Sequence, residues 1–393
     1  MGKSLIIPGA DFSDNCLPIL SIVTKNNVPF YVYYGSNIQD TGGNNVVGVE
    51  GVVEVNGSYE LSLLPSPICL IFGAKQVYDV ESESFVDIHY YNNDRSIDYG
   101  VLYPNSVDVL ESISIGDISL NEAARLLTGN TGIRYADMRH INVDGATSLR
   151  AAFANNTGLI EVKMPKRTVD TPLNCQNLFI SCTSLESVDF SDFNVKGINN
   201  FNWGFKYCES LKSIDFSGLD FGIGRQKLNE FFRSNDSLVS AKLGNLISED
   251  TTQVNMMFKG DGELLEVDMS DCDFKNVQIV KDMFHFCYKL TSLNVGTWDL
   301  GSVTDYTGWF SSCNSLTSIT GTIVNFGKSA TANIGLGNAT HWDHDSLMKF
   351  INGLYDRTGM SSLSIIMLSD CLSSLSAEEI QIATNKNWTI ITY

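Results

Sequence analysis

Few residues in this chain have the types and spacing that catalysis or metal binding would need. The chain has five histidines, and two of them, His341 and His344, lie three positions apart in the segment His-Trp-Asp-His. That spacing would suit two imidazole ligands of a zinc ion, which needs further protein ligands as well. No third ligand follows at a recognisable offset. We therefore interpret the segment as a polar loop and predict no metal site.

Other candidate motifs are incomplete. The acidic segment from Asp268 to Asp273 resembles part of a calcium loop, but it lacks the glycine and the terminal glutamate of such a loop. The segment Gly222-Ile223-Gly224 lacks the context of a dinucleotide fingerprint, and the sequence contains neither a Walker loop nor a G-x-S-x-G elbow. Carboxylate pairs are abundant, but none has the apolar surroundings that would raise a pKa. We predict a protein that is not an enzyme and binds no cofactor.

The composition excludes several classes of partner. The 393 residues include 26 Lys and Arg against 45 Asp and Glu, a formal net charge of −19. That charge repels nucleic-acid phosphates and anionic lipid headgroups, so we expect neither nucleic acid nor a membrane as a partner. The nine cysteines form no CxxC pair, which argues against a zinc ribbon or a disulfide framework. The opening residues lack the apolar core of a signal peptide, so we expect synthesis in a cytoplasm.

The elements that would position any site follow from a repeat. Seven phenylalanines are separated by 26 or 27 residues, and a fixed period of this length indicates a solenoid whose coils pack on their neighbours. Apolar residues recur at offsets +6, +9 and +11 from each phenylalanine, and only Gly321 breaks the last series. A fainter copy begins at Leu127. The repeated phenylalanines are Phe153, Phe179, Phe205, Phe232, Phe258, Phe284 and Phe310.

Within a coil, the pattern L-x-x-V-x-F places the +9 and +11 side chains on one face of a strand. These strands should stack as a parallel sheet with their apolar side chains inside. The segment from Asn276 to Phe284 indicates a short helix that leads into the next phenylalanine. Offset +3 carries small side chains with hydrogen-bonding capacity, which we interpret as a structural ladder and not as a metal or redox site. The ladder consists of Asn156, Cys182, Cys208, Asn235, Asp261, Cys287 and Cys313.

The segment MFHFCYKLTSLNVGTWDLGSVTDYTGWFSSCNSLTSI resembles the BspA-type leucine-rich repeat, whose units read F-x-x-C-x-S-L-x-x-L-x-L. The resemblance covers about residues 120 to 325 and departs from the family at Asn235 and Asp261, where the cysteine is missing. The ending LSAEEIQIATNKNWTIITY resembles the close of such arrays in Bacteroidetes and their phages. Together with the period, the resemblance predicts an α/β solenoid, a BspA-type leucine-rich repeat array of about eight 26-residue coils.

Residues 1–112 carry no repeat and are predicted to form an all-β N-terminal domain of sandwich type. Alternating apolar residues and turn signals indicate its strands. We predict these strands at Ser4 to Ile7, Phe30 to Tyr34, Val46 to Val55, Tyr59 to Leu64 and Phe85 to Tyr91.

Two further segments follow. Residues 113–325 would form the solenoid, with a cap helix that begins at a capping box, Ser119 to Glu122, and runs through Leu127. Residues 326–393 would form a C-terminal capping segment. It contains helical spacing from Leu347 to Leu354, a second capping box from Ser376 to Glu379 and a final strand from Trp388 to Tyr393.

Two groups of residues are candidates for partner binding. The outward strand positions +8 and +10 form a surface that solenoids commonly use for binding. Here that surface is polar, mostly acidic and free of aromatic residues, and this composition favours the alternative of a solvated sheet face. The candidates on it are Asp189, Asp215, Lys242, Asp268 and Asn294. A second, aromatic group in the N-terminal domain would dock the chain onto a particle, and consists of Phe30, Tyr31, Tyr33 and Tyr34.

The opening residues MGKSLIIPGADFS resemble the N-termini of virion and tail proteins from phages of Bacteroides, the crAss-like group included. This resemblance implies a structural protein of the virion, a head or tail fibre or a decoration protein. Its N-terminal domain would dock to other virion proteins, and its solenoid would project as part of a homo-oligomer. The likeness of the array to surface adhesins implies a host surface glycan or protein as a further partner. The alternative is a BspA-like surface adhesin or interaction protein of a gut bacterium, which would need export.

Overall fold

A computed structural model describes the backbone of the strands up to Ser119. Beyond that point it describes residues 127–129, 134–139, 141–225, 227–337 and 342–393 with their side chains. The chain divides into two compact units, Met1–Asn194 and Val195–Tyr393. Both contain parallel-stranded coils of roughly 26 residues, about ten turns in all. The predicted solenoid is therefore confirmed. The predicted domain boundaries at residues 112 and 325 stay predictions.

The first unit consists of strands joined by turns. Its strands are β1 (Lys3–Leu5), β2 (Leu20–Thr24), β3 (Phe30–Gly35), β4 (Gly51–Val55), β5 (Ser58–Leu61), β6 (Cys69–Gly73), β7 (Tyr78–Asp79), β8 (Ser84–Phe85), β9 (Leu110–Ile115), β10 (Ile118–Ser119), β11 (Tyr135–Asp137), β12 (Ile141–Asn142), β13 (Glu161–Lys163), β14 (Leu173–Asn174) and β15 (Ser187–Asp189). An antiparallel sheet has the order β1-β6-β3-β4, and β7 pairs with β8.

A second sheet of this unit joins the N-terminal strands to the coils. Its order is β15-β13-β11-β9-β2-β5. Strands β9, β11, β13 and β15 are parallel to one another, so the coil stack begins one strand before the fainter sequence copy. Strand β2 pairs with β9 in the antiparallel direction and with β5 on its other side. The edge of the first coil strand is thus covered by backbone pairing, which protects it from association with other chains.

The predicted N-terminal strands have counterparts with different bounds. Strands β1, β3, β4, β5 and β8 overlap the five predicted segments, whereas β2, β6 and β9 had no counterpart in the sequence analysis. The predicted cap helix falls mostly on residues 120–126, which lie outside the described residues.

The second unit carries further coils and the helices. Its elements are β16 (Ile198–Asn200), β17 (Ser213–Asp215), β18 (Ser240–Lys242), β19 (Glu266–Asp268), β20 (Ser292–Asp299), β21 (Ser318–Val324), β22 (Ile334–Gly335), α1 (His344–Gly353), β23 (Leu363–Met367), α2 (Ser369–Ser373), α3 (Ala377–Asn385) and β24 (Trp388–Thr392). One parallel sheet has the order β17-β18-β19-β20-β21, and another has the order β22-β23-β24.

The repeated apolar residues form the core, as predicted. Each repeated phenylalanine, and each leucine at offset +6, has 1% or less of its surface exposed. The phenyl rings stack from coil to coil: the ring centroids of Phe284 lie 5.5 Å from those of Phe258 and of Phe310, with interplanar angles of 4°. Offset stacking of this kind adds about 0.5–1.5 kcal/mol per pair beyond the burial of apolar area.

The predicted helix from Asn276 to Phe284 is wrong. This segment is a run of turns, and Ile279 bridges in parallel to Gln253 on one side and to Asp305 on the other. The backbone N–H of Val280 donates to the carbonyl of Asp305 over 3.1 Å. Its backbone groups are therefore satisfied by neighbouring coils and do not form the i→i−4 bonds of a helix.

The break in the repeat at Gly321 has a structural cause. Between β20 and β21 the register shifts after Asn294, because β20 carries an additional residue there. Gly321 has φ +99°, and a Cβ at this position would lie 2.5 Å from the carbonyl oxygen of Gly296. Only glycine allows both this backbone conformation and this close approach.

The C-terminal segment forms the predicted helices and final strand. Asp343 caps α1, and its side chain accepts a hydrogen bond from the Ser346 N–H over 2.7 Å. The capping box of α3 is present between Ser376 and Glu379. Strand β24 follows α3 and pairs with β23. In the part of the chain that the structure describes, no helix has the length and apolar character needed to cross a membrane.

Candidate functional site

Four of the five residues predicted on the outward strand face close a turn of their own coil. Oδ1 of Asp189 accepts from the Ser191 N–H over 2.8 Å, and Oδ1 of Asp268 accepts from the Ser270 N–H over 3.0 Å. Asp215 and Asn294 make the equivalent contact two residues ahead, over 2.9 and 3.3 Å. The hydrogen bonds of Ser191 to Asp189 lower the pKa of that carboxyl. These side chains therefore stabilise the turn at the end of each strand.

The same residues also pair between coils. Lys242 Nζ lies 3.4 Å from Asp215 Oδ2, and the Asn294 amide donates to Asp268 Oδ1 over 3.0 Å. Stacked coils place equivalent positions side by side, so unbroken rows of carboxylates would repel one another. Lysine and asparagine at alternate levels relieve that repulsion. The partner-binding role of these five residues stays a prediction, and their contacts agree with a solvated sheet face.

The predicted docking residues Phe30, Tyr31, Tyr33 and Tyr34 all belong to strand β3. This strand is central, since it pairs with β4 on one side and with β6 on the other. The side chains of these four residues lie outside the described part of the chain, so their docking role stays a prediction.

The histidine segment begins helix α1. His341 lies outside the described residues, Asp343 is the N-cap, and the His344 ring Nε2 lies 2.9 Å from Glu379 Oε1. Trp342 is buried. Within the described ranges, no group of three or more His, Cys, Asp or Glu side chains is placed to hold a metal ion.

The glycine segment has its backbone donors occupied. The Gly222 N–H donates to Asp220 Oδ1 over 3.0 Å, and the Gly224 N–H donates to Asp250 Oδ2 over 2.8 Å. These two carboxylates take the place that a phosphate would need, so the loop is an internal turn of the scaffold.

The cysteine ladder is confirmed as structural. The thiols of Cys182, Cys287 and Cys313 lie within 2.9–3.1 Å of the carbonyl oxygen of the phenylalanine 29 residues earlier, and each thiol donates to that oxygen. All three side chains are fully buried. Burial raises the pKa of the Cys182 thiol to about 12. A thiol that stays protonated and inaccessible is a poor nucleophile and a poor metal ligand.

The surface feature that stands apart is an exposed aromatic pair in the bend after Phe284. We call Phe286 and Tyr288 the aromatic platform. Their side chains are 38% and 50% exposed, and their ring centroids lie 5.8 Å apart at an interplanar angle of 33°. The His285 ring lies 3.8 Å from the Phe286 ring. Two neighbouring aromatic rings are therefore exposed to solvent at one bend.

The backbone of Phe286 is unusual for so large a residue. Offset +2 has a positive φ in every coil, and the other coils mostly place a small or polar residue there. The occupants are Asn155, Ser181, Tyr207, Ser234, Gly260, Phe286 and Ser312. Phe286 has φ +68°. A bulky side chain in this left-handed region carries strain, and such strain concentrates at functional positions.

Charged residues flank the platform on two sides. Lys289 Nζ lies 2.6 Å from Glu263 Oε2 on one side. On the other side, Asp282 contacts Lys259 over 2.8 Å and His285 over 3.3 Å. Burial lowers the pKa of His285 despite the neighbouring Asp282, so this ring is neutral at physiological pH. The flanks therefore contain one cation for each anion.

The preceding coil has glycine at both platform positions. These residues are Gly260 and Gly262. A Cβ at Gly262 would lie 3.4 Å from Cδ2 of Tyr288, so the Tyr288 ring packs over this glycine, and a Cβ at Gly260 would lie 3.2 Å from the Ser234 hydroxyl oxygen. The platform was not predicted, because the prediction of a binding surface rested on the strand face. The signal in the sequence was the aromatic pair at offsets +2 and +4, where the other coils have small or polar residues except for Tyr207 at offset +2.

Comparison with known proteins agrees with the repeat. A family model described as "Mycoplasma protein of unknown function, DUF285" matches residues 122–221 and 226–347, which together are more than half of the chain. Neither the curated proteins nor the solved structures contain a match. The chain is thus a BspA-type repeat protein, and it belongs to the DUF285 family.

Proposed function

We propose that this chain is a non-enzymatic interaction protein whose coils present the aromatic platform, Phe286 and Tyr288, to a partner. The observation that carries this proposal is the exposure of two adjacent rings in a bend where other coils have small or polar side chains. Aromatic side chains supply large contact areas at low entropic cost, so they dominate binding energy where they are exposed.

The contacts elsewhere support a scaffold role. The candidate motifs for metal, phosphate and redox chemistry have their polar groups engaged by the fold itself: Asp343 by a helix cap, Gly222 by a carboxylate, Cys182 by a carbonyl. A repeat solenoid of the DUF285 family fits a surface or interaction protein. A protein of this kind needs a rigid framework and a recognition surface, and it needs no reactive group.

A binding assay with matched variants tests the proposal. The full chain would be incubated with intact bacterial cells and phage particles, and bound protein would be quantified by flow cytometry or co-sedimentation. We expect the Phe286→Ser, Tyr288→Thr double variant to lose binding. The control is Ile223→Ser, which removes a 60% exposed apolar side chain elsewhere in the same unit. Equal binding by all three proteins would refute the assignment of the platform.

For the location of the protein, we propose the virion of a phage, where the chain would be a head or tail fibre or decoration protein. The support is the resemblance of the opening residues to phage virion proteins. In this proposal β3 docks the chain to other virion proteins, copies form a homo-oligomer, and the coils project toward the host. The net charge of −19 disfavours nucleic acid and anionic membranes as partners.

Mass spectrometry and immunogold labelling of purified particles test this location. Label on the head or tail at a fixed copy number would support the virion role. Particles that lack the chain, together with label on bacterial surfaces, would instead favour a BspA-like surface adhesin.

A further inference from the structure

We infer that the aromatic platform and its two charged flanks form a binding site for an uncharged saccharide. This inference rests on the proposed function, because it names the class of ligand for the same surface. It follows from two features of the site: two exposed ring faces, and hydrogen-bonding groups whose charges are already balanced.

The rings provide the stacking surface. A pyranose ring has an apolar face of C–H groups that packs flat against an aromatic ring. Phe286 and Tyr288 offer two such faces at 33° to each other, which suits a ligand that bends across both. Both residues are partly exposed, so a sugar ring can approach the solvent-facing side of either aromatic ring.

The charged residues at the flanks provide hydrogen-bond partners for the hydroxyl groups of a sugar. Sugar hydroxyls both donate and accept, so they are satisfied by groups of both kinds side by side. The carboxylates of Glu263 and Asp282 accept, and the ammonium groups of Lys289 and Lys259 donate. The Lys289–Glu263 pair is about half exposed on both partners, so its remaining donors and acceptors can be reached from solvent.

The balance of charge selects against ionic ligands. Each cation at the flanks already has an anion within 2.8 Å, so a sulfated or sialylated glycan would have to displace a carboxylate of the protein. The net charge of −19 adds long-range repulsion against such glycans. An uncharged glycan meets neither obstacle.

The surroundings also distinguish a sugar from a protein partner. A protein hot spot centres on anchors within a tightly packed patch that excludes water. Here the two rings have two ion pairs and two glycines as neighbours. Polar residues begin one position away from each ring in the sequence and form a polar rim. Phe286 has a positive φ of +68° at an offset where three other coils have serine with the same backbone conformation.

A glycan array with the full chain tests the inference. The array would carry neutral oligosaccharides of glucose, galactose, mannose and N-acetylglucosamine beside sialylated and sulfated ones. Hits would be titrated calorimetrically with the wild type, Phe286→Ser, Tyr288→Thr and the control Ile223→Ser. We expect binding to a neutral glycan, weakened about tenfold or more by either platform substitution and unchanged by the control. Thermal unfolding of each variant would establish that the loss is not caused by misfolding.

Three results would overturn the inference. The first is binding confined to charged glycans, and the second is neutral-glycan binding that both platform variants retain. The third is an array without hits from a chain that still binds cells through the platform. That last result would leave the proposed interaction function intact and would assign a protein partner to the platform. Loss of both glycan and cell binding would instead refute the proposed function itself.

Discussion

The backbone N–H of Asn235 donates to Oδ1 of Asp261 over 2.8 Å, and this bond joins two fully buried residues of neighbouring coils. They occupy the ladder position at which four other coils have cysteine. The second carboxylate oxygen of Asp261 has no hydrogen-bond partner. Burial raises the pKa of Asp261 well above its usual value of 3.8. Burial in the core therefore disfavours the charged form of this carboxyl group.

Replacement of Asp261 by asparagine should stabilise the protein at neutral pH. Because the folded pKa is raised, the stabilising effect of the neutral acid is fully present below pH 3.8 and is lost as pH rises toward the folded pKa. Each unit of difference between the two pKa values costs about 1.4 kcal/mol above the folded pKa. Asp261→Asn keeps an acceptor for Asn235 and removes this cost. Urea unfolding at pH 4, 6 and 8 would measure the difference in the free energy of unfolding.

The control for this experiment is Asp271→Asn, at an exposed position of the turn that follows β19. It should change the free energy of unfolding little at any of the three pH values. A variant Asp261→Asn that is equally or less stable than the wild type at pH 8 would contradict a neutral buried acid.

Phe284 and Phe286 are two residues apart and should respond in opposite ways to substitution. Phe284 is 1% exposed and stacks on rings above and below, so Phe284→Ala should cost about 3–5 kcal/mol. Phe286 is exposed and has a positive φ, so Phe286→Gly should relieve strain and raise the free energy of unfolding by about 1 kcal/mol. Chemical denaturation of both variants would check this contrast. A destabilised Phe286→Gly would indicate that the ring belongs to the core.

The period of the sequence predicted the core well because each coil repeats one set of contacts. The stacked rings and the buried leucines at offset +6 followed directly from spacing. The structure of the segment from Asn276 to Phe284 did not follow from spacing, because Ile279 forms bridges to two neighbouring coils. A single coil contains no information about such pairing, and its local pattern is compatible with a helical turn.

The interpretation of two further features required a comparison of equivalent positions in different coils. Asp261 is polar, and only its place in a buried ladder explains why its pKa is raised. The platform depended on comparison of Phe286 and Tyr288 with the small or polar residues at the same offsets in other coils. The strand residues were predicted as a surface, but the sequence could not reveal that Asp215 and Lys242 pair with each other.

The substitution Glu230→Gln should destabilise the protein at neutral pH. Burial opposes ionisation of Glu230, but hydrogen bonds from Lys206 and Trp203 outweigh it and lower its pKa to about 2. Because the folded pKa is depressed, the stabilisation is present above pH 4.5 and is lost as pH falls toward 2. We expect a loss of about 1–2 kcal/mol at pH 7, after allowance for partial exposure to solvent.

Acid titration of stability would check this expectation. The difference between Glu230→Gln and the wild type should shrink steadily between pH 4.5 and pH 2. Glu263→Gln is the matched control, because the Lys289–Glu263 pair has the same 2.6 Å separation but is about half exposed. Exposed pairs contribute about 0–1 kcal/mol. An equal effect of both substitutions would show that burial adds nothing to the Lys206–Glu230 pair.

The buried thiols should not react with alkylating reagents in the folded protein. Seven of the nine cysteines are buried and form no disulfide, and the other two are Cys16 and Cys69, whose side chains lie outside the described residues. Burial raises the pKa of Cys272 to about 12, so its reactive thiolate is scarce as well as inaccessible. Labelling with iodoacetamide followed by intact-mass measurement should therefore add at most two groups in native buffer and nine in denaturant. Modification of a ladder cysteine such as Cys287 in native buffer would mean that the coils open locally, because its thiol lies 3.1 Å from the Phe258 carbonyl inside the stack.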